Sequence, residues 1–509
     1  MQTSFAYSVR AYGAAGDGQT LDTRALQTTI DACAQAGGGT VLVPAGDYLT
    51  GTLVLKDNID LHLAADARLL GSPNLADYGG ARRHSAAGAA EQYDELLGCC
   101  LVTARGARNV SISGSGVIDG QGKAFPYGSE GFNFEDEAAA ASAQTFVRPN
   151  LINLEGITNL RLSGVTFQHS ASWCCHIDHC KQVRIDGVRI LNRANQNNDG
   201  FDLSSCEDVL ISNCHIDCGD DAFALKYGGV RIVITNCIIS TRWAAFRIGP
   251  EATGVFRDIT VSNCVVHDTY GSGIKIQQVE GGVMENILFD NIVMNNVTGP
   301  ISLRLGGYLG WKKERKESLP IGVLRGVRFS NIRASVADNA YPLPHEVPAF
   351  PGEVKSCINL SGVEGFYIED VTFSGIHVTF PGGGTAEEAA RAVPELRDHY
   401  PEYHMFGVLP AYAVYLRHAR GITFENVTFS AAAPDLRPAV VCEDVLDLEL
   451  CNLRAAVDPA APALLRLKDV RGAYIHGCRP TTPAAAFVRL EGATQDVLLQ
   501  DNDLRLVKE

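Results

Sequence analysis

Four carboxylates crowd one short stretch, "NQNNDGFDLSSCEDVLISNCHIDCGDDAFALK" (195–226): Asp199, Asp202, Asp220 and Asp221. Carboxylates held close together can do acid–base work. Mutual repulsion raises the pKa of one, which keeps a proton to donate while its neighbour stays a base. The surrounding Gly, Asn and β-branched residues equally suit turns between strands, where a lone "DG" or "GDD" is ordinary turn chemistry. The choice depends on whether the chain brings these aspartates into register.

A short phrase recurs through the chain: "RLSGV", "RIDGV", "LISNC", "VITNC", "TVSNC" and "LFDNI". Its landmarks Gly164, Gly187, Asn213, Asn236, Asn263 and Asn291 are spaced by 23, 26, 23, 27 and 28 residues. Further copies fall at Gly114, Asn331, Gly375, Asn426, Asn452 and Gly477. Periods in the twenties mark a solenoid. Val, Ile, Thr, Asn and Gly favour strands and turns, and the Leu skeleton of a leucine-rich repeat is missing. The spacing predicts an all-β parallel β-helix over residues 1–509, a single domain with a cap region at about 1–80. In the cap, "LDTRALQTTIDACAQAGGG" predicts an amphipathic helix with Asp22 as N-cap, apolar Leu26, Ile30 and Cys33, and a Gly stop. "GAAGDG" near residue 13 is a turn, because no strand–GxGxxG–helix order surrounds it. The period breaks at about 120–150, 305–357 and 376–414, which are expected as loop insertions walling a groove. Cys206, Cys214, Cys237 and Cys264 are expected to form one buried ladder rather than a zinc site.

Aligned on the landmarks, the strands "CHI", "FDL", "FAL", "FRI", "IKI" and "LRL" put their middle residues in one row. Side chains alternate faces along a strand, so His176, Asp202, Ala224, Arg247, Lys275 and Arg304 are expected on one exposed face. Asp199, Asp221, Ala244 and Ser272 form the neighbouring row, two positions before the first residue of each of these strands. Coils stack about 4.8 Å apart, which predicts Asp199 beside Asp221 and Asp220 close by on a turn. Like charges so placed destabilise a sheet unless something offsets them, and this favours a site over simple turns. Trp173, Tyr308 and Trp311 are candidate sugar-stacking rings, and Glu251 a candidate at the groove rim.

The totals bound the remaining classes. The chain has 509 residues, is 46% hydrophobic and 20% charged, and carries a formal charge of −15. That balance argues against a nucleic-acid partner, and no window approaches a membrane span. No signal peptide is visible, and fifteen cysteines lack a disulfide-scaffold spacing. Both lean toward an intracellular protein, or toward the mature form of an exported one. The sequence leaves the oligomeric state open.

At the aspartates the sequence resembles the polygalacturonase family of glycoside hydrolases, family 28. The family's "NTDG" stands here as Asn197-Asn198-Asp199-Gly200 and its "GDD" as Gly219-Asp220-Asp221. "GGGTVLVPAGDYLTGTLVLKDNIDLHLAADARLLGS" (37–72), "ISGSGVIDGQG" (112–122) and "MFGVLPAYAVYLRHARGITFENVTF" (405–429) are also similar to bacterial members. The resemblance implies a right-handed parallel β-helix and inverting hydrolysis of pectic, uronic-acid-containing poly- or oligosaccharides. Asp220 would be the general acid, and Asp199 and Asp221 would hold the water, with a gap of about 6.5–9.5 Å expected between acid and base. No metal and no cofactor are implied.

Two departures stand out. The family's "GHG" histidine falls at Ala244, and its "RIK" becomes Gly273-Ile274-Lys275. Lys275, with Arg247 and Arg304, is therefore expected to grip a substrate carboxylate, and His176, Asp202, Asn197 and Glu251 complete the candidate binding set. The losses fit a mixed, rhamnogalacturonan-type backbone, and the insertions fit exo-action. The rival readings are a β-elimination lyase on the same fold, a hydrolase of a non-pectic glycan and a non-catalytic carbohydrate-binding solenoid.

Overall fold

A computed structural model describes residues 6–78, 99–125, 148–308, 319–338 and 352–508. Trp311, most of 120–150 and much of 305–357 lie outside the described residues. The chain divides into two compact units, Met1–Ala224 and Leu225–Glu509.

The first unit is built of parallel strands in three rows. One row runs through Gly39–Val43, Ile59–Leu63, Arg108–Gly114, Thr158–Ser163, Lys181–Asp186 and Phe201–Ser212. A second runs through Gly46–Thr50, Ala67–Gly71, Val117–Asp119, Thr166–Gln168, Arg189–Asn192 and His215–Cys218. The third joins Leu53–Val54, Cys100–Arg105, Asn150–Glu155 and Cys175–Asp178 to the start of Phe201–Ser212. Each coil thus contributes one strand to each row, the arrangement of a parallel β-helix. The core holds the apolar residues that alternate along these strands, among them Leu61, Ile112, Leu162, Ile185 and Ile211.

The second unit repeats the plan. Ala244–Ile248, Ser272–Gln278, Ile301–Leu305, Ile358–Ser361, Val414–Glu425 and Val440–Cys451 pair in one row. Its core carries a column of stacked rings: Phe289 on Phe329 at 5.5 Å, Phe329 on Phe373 at 4.9 Å, and Phe373 on Phe424 at 4.4 Å.

All twelve landmark Asn and Gly residues have left-handed backbone; Asn263 and Asn291 have φ of 55° and 53°, and Gly164 and Gly477 have φ of 75° and 63°. Only Gly, and Asn through its short polar side chain, adopts this conformation readily. The repeat was legible because the fold places this conformation at the same turn of every coil. The Asn amides also stack, with Asn291 Nδ2 donating to Asn263 Oδ1 at 2.7 Å and Asn452 to Asn426 at 2.7 Å.

Four details differ from expectation. The helix forms over Thr23–Gln35 and buries Leu26, Ile30 and Cys33. Asp22, however, does not cap it: its carboxylate accepts from Ala15 N at 2.6 Å and Gly16 N at 2.8 Å, pinning the preceding turn. The stretch 305–357 is not one insertion, because it contains the regular 14-residue strand Val323–Val336, paired on both sides. The stretch 376–414 likewise begins with the in-register strand His377–Phe380, so the excursion starts after it. The cysteines also separate: Cys206 lies beside Cys180, one residue before the Lys181↔Glu207 pair, whereas Cys264 meets Cys237. All fifteen are free thiols.

Candidate active site

Asp199, Asp220 and Asp221 all belong to the first unit, and one carboxylate oxygen from each lies within 4.8 Å of the others. Two backbone bonds set the register: Gly200 N donates to Asp221 O and Phe201 N to Ala222 O, both at 2.9 Å. Asp199 and Asp221 are therefore neighbours across adjacent coils, and both are buried, while Asp220 is half-buried. Asp221 N donates to Asp220 Oδ1 at 2.9 Å. The nearest oxygens stand closer than the 6.5–9.5 Å expected from the resemblance. Oxygens this close can share one small ligand, such as a water, among all three carboxylates.

Several residues without reactive chemistry hold this cluster. Asn198 is fully buried and donates to Ser170 O and Ser172 O, both at 3.0 Å. Its own backbone oxygen accepts from Gly219 N at 3.1 Å and Asp220 N at 3.2 Å. Asn192 Nδ2 donates to Asp199 O at 3.0 Å. Arg148 straps the turn from outside, donating to Asn197 Oδ1 at 2.7 Å, Gln196 O at 2.6 Å and Ala171 O at 3.0 Å. Asn197 itself has left-handed backbone, φ 53°. Sequence reasoning named Asn197 but not Arg148, Asn192 or a holding role for Asn198. Their partners are mostly backbone oxygens, which leave no mark in a sequence. Gly200 is required by a close approach, since a Cβ there would sit 2.4 Å from Ala222 O.

The expected exposed row is buried. His176 and Asp202 are in register and are 3% and 0% exposed; Arg247, Lys275 and Arg304 are 8%, 0% and 3% exposed. His176 bonds Ser204 Oγ at 3.0 Å and stands edge-on to Trp173 at 5.2 Å. His176 is therefore packed and hydrogen-bonded at this position rather than exposed.

In the second unit, Arg247 pairs with Lys275 and Ala244 with Ser272, as the rows predicted. Arg304 does not continue that row: Ser302 lies beside Lys275, and Arg304 beside Gln277. The shift is two residues, which keeps the same faces in and out and so is invisible to an apolar pattern. At Gly273 an arginine has no room, because a Cβ would already lie 2.7 Å from Met294 Sδ and from Pro300 O.

Residues 391–408 explain the burial of these cations. Glu402 Oε2 meets Lys275 Nζ at 2.7 Å, and Glu402 Oε1 lies 3.8 Å from Arg247 Nη2. Arg247 also donates to the Tyr400 hydroxyl and lies over its ring. Arg304 donates to four backbone oxygens, those of Ser361, Gly362, Glu395 and Leu396, at 2.9–3.3 Å. Burial pushes the Glu402 carboxyl up, but Lys275 and Arg247 outweigh it and the net direction is down. Burial, with Arg417 close by, lowers Arg304 to about 10. Burial pushes the Tyr400 phenol well above its ordinary value, with Glu251 adding to the rise. Glu251 is half-buried, and its backbone oxygen accepts from Tyr227 N at 2.6 Å. Tyr308 packs edge-on against Tyr400 at 5.4 Å.

The chain is similar to a probable polygalacturonase of Vitis vinifera, with 28% identity over 64% of this chain and 68% of the relative. It is also similar to an exo-poly-alpha-D-galacturonosidase of Dickeya chrysanthemi, with 27% identity, and there the match spans 57% of this chain and about half (55%) of the relative. A hyperthermoactive exopolygalacturonase from Thermotoga maritima shares the fold, with a TM-score of 0.62 and 22% identity over 84% of this chain and 93% of that one. Residues 33–392 match glycosyl hydrolases family 28. With its aspartates gathered as described and most of its length matched, the chain belongs to glycosyl hydrolases family 28 and is a glycosidase.

Proposed function

We propose that this glycosidase cleaves a pectic, uronic-acid-containing poly- or oligosaccharide with inversion, and that it acts from a chain end. The observation that carries the reading is the meeting of Asp199, Asp220 and Asp221 within 4.8 Å. Asp220, the most exposed of the three, gives its proton to the glycosidic oxygen as the bond to the anomeric carbon breaks. Asp199 and Asp221 hold a water, and one of them takes its proton as the water oxygen bonds to that carbon from the opposite face. The exo character follows the Dickeya and Thermotoga relatives by their names. Lys275 and Arg247 are proposed as substrate contacts of the second unit.

Asp220→Asn tests the reading directly. Its kcat on the cleaved pectic oligosaccharide should fall by about 10²–10⁴-fold, with an unchanged melting temperature. Proton NMR of the first product should show the inverted anomer; a retained anomer would mean that the close carboxylates work through a covalent intermediate. An ultraviolet-absorbing unsaturated product, abolished by chelator, would replace hydrolysis with β-elimination and water with a cation among the aspartates.

A further inference from the structure

Lys275 carries a positive charge with no exposed surface, and the group that meets it is an acid of the same chain. The Glu402 side chain retains 11% of its surface, so it is the more exposed member of the pair. The segment that delivers it is not a swinging flap. Arg417 grips Val393 O and Pro394 O at 2.7 Å. Arg304 grips Glu395 O and Leu396 O, and Gly307 N holds Arg397 O at 3.0 Å. On the far side of Glu402, Tyr403 donates to Thr298 Oγ1 at 2.9 Å, and Arg391 ties down Val408 O at 2.9 Å. Glu402 is therefore fixed on both flanks.

We propose that Glu402 is a specificity-determining residue: its carboxylate occupies the place a uronate carboxylate would take against Lys275 and Arg247, so the sugar bound there is uncharged. This rests on the reading that the cluster of Lys275, Arg247 and the oxygens covering them is a substrate-binding point of the second unit. A second carboxylate entering beside Glu402 would meet a like charge over cations already neutralised. Such juxtapositions discriminate strongly between partners. A neutral sugar would instead find the Glu402 and Tyr400 oxygens as hydrogen-bond partners.

The test uses the full chain and Glu402→Ala, with acetate as probe. Truncation leaves two buried cations facing a gap of carboxylate size. Acetate should raise the melting temperature of the variant by about several degrees, by mass action on the folded state. Chloride at equal ionic strength should not, and the wild type should respond to neither. In parallel, rates are compared on pairs of oligosaccharides that differ only in carrying a uronic or a neutral sugar at one position. The variant's uronate-to-neutral rate ratio should exceed the wild type's by about tenfold or more. A folded variant that ignores acetate, or an unchanged ratio, would overturn the proposal. If Glu402→Ala does not fold, Glu402→Gln keeps the volume and removes the charge, and the same unchanged ratio would overturn it. If the wild type cleaves none of these oligosaccharides, the hydrolase reading of the substrate falls, while the acetate arm still decides what Glu402 occupies.

Discussion

Asp199 is held by groups that do no chemistry. Asn192 fixes its backbone oxygen, and Gly200, the next residue, lets the adjacent coil approach so closely that Asp221 becomes its neighbour. Gly200→Ala is therefore expected to separate the two carboxylates. The added methyl overlaps Ala222 O and should cost about 1–3 kcal/mol of stability. Because the displaced turn carries Asp221, kcat should fall with it; urea unfolding and initial rates on one oligosaccharide read both. At this scale the sequence singled out the clustered aspartates more readily than the groups that position them. The aspartates were legible because the repeat register and the stretches "NNDG" and "GDD" bring them to one place. Arg148 was not, because nothing in its surroundings says that three oxygens from residues 171, 196 and 197 will converge on it. The role of Glu402 was equally hidden, since its cations lie more than a hundred residues upstream.

The turn at each landmark is the element on which the coils repeat. Asn291 combines two functions there, a left-handed backbone and an amide bonded to Asn263. The two separate experimentally. Asn291→Gly removes only the amide bond and should cost about 0.5–1.5 kcal/mol. Asn291→Ala removes the amide bond too but keeps a Cβ in the left-handed region without the short polar side chain that eases it there, and should cost about 1–2 kcal/mol more than the Gly variant. Equal losses in urea denaturation would show that the ladder, not the backbone, dominates. Turn chemistry was legible because it is local. The N-cap at Asp22 and the register of Arg304 were not. Asp22 found backbone donors in the turn before the helix, and a two-residue slip of Arg304 preserves the inward–outward pattern on which alignment relied.

Across the molecule, acid should weaken the fold in a window set by His404. Burial lowers its pKa to about 4 in the folded protein. Its unfolded value is about 6.5. Between these values the unfolded chain binds a proton that the folded chain refuses, so stability must fall as pH drops from about 6.5 toward 4. Glu402, held down by Lys275 and Arg247 against its burial, extends the loss below its unfolded pKa as it is protonated. Melting temperatures across pH should decline through this window for the wild type, and His404→Gln should flatten the upper part; an unchanged slope would remove His404 as the cause. The parallel fold was legible from the repeat and the family's motifs. The burial of the cation row was not, because the segment that covers it departs from the period and carries no pattern of its own.

The column of rings in the second unit has one more consequence. Phe373 and Phe424 are the tightest pair in it, at 4.4 Å, although the whole excursion that carries Glu402 is spooled out between them. The core does not register how much chain leaves and returns. Loop length and fold are thus separate variables, and selection can rewrite which sugars the enzyme accepts without touching a single layer of the column that keeps it standing.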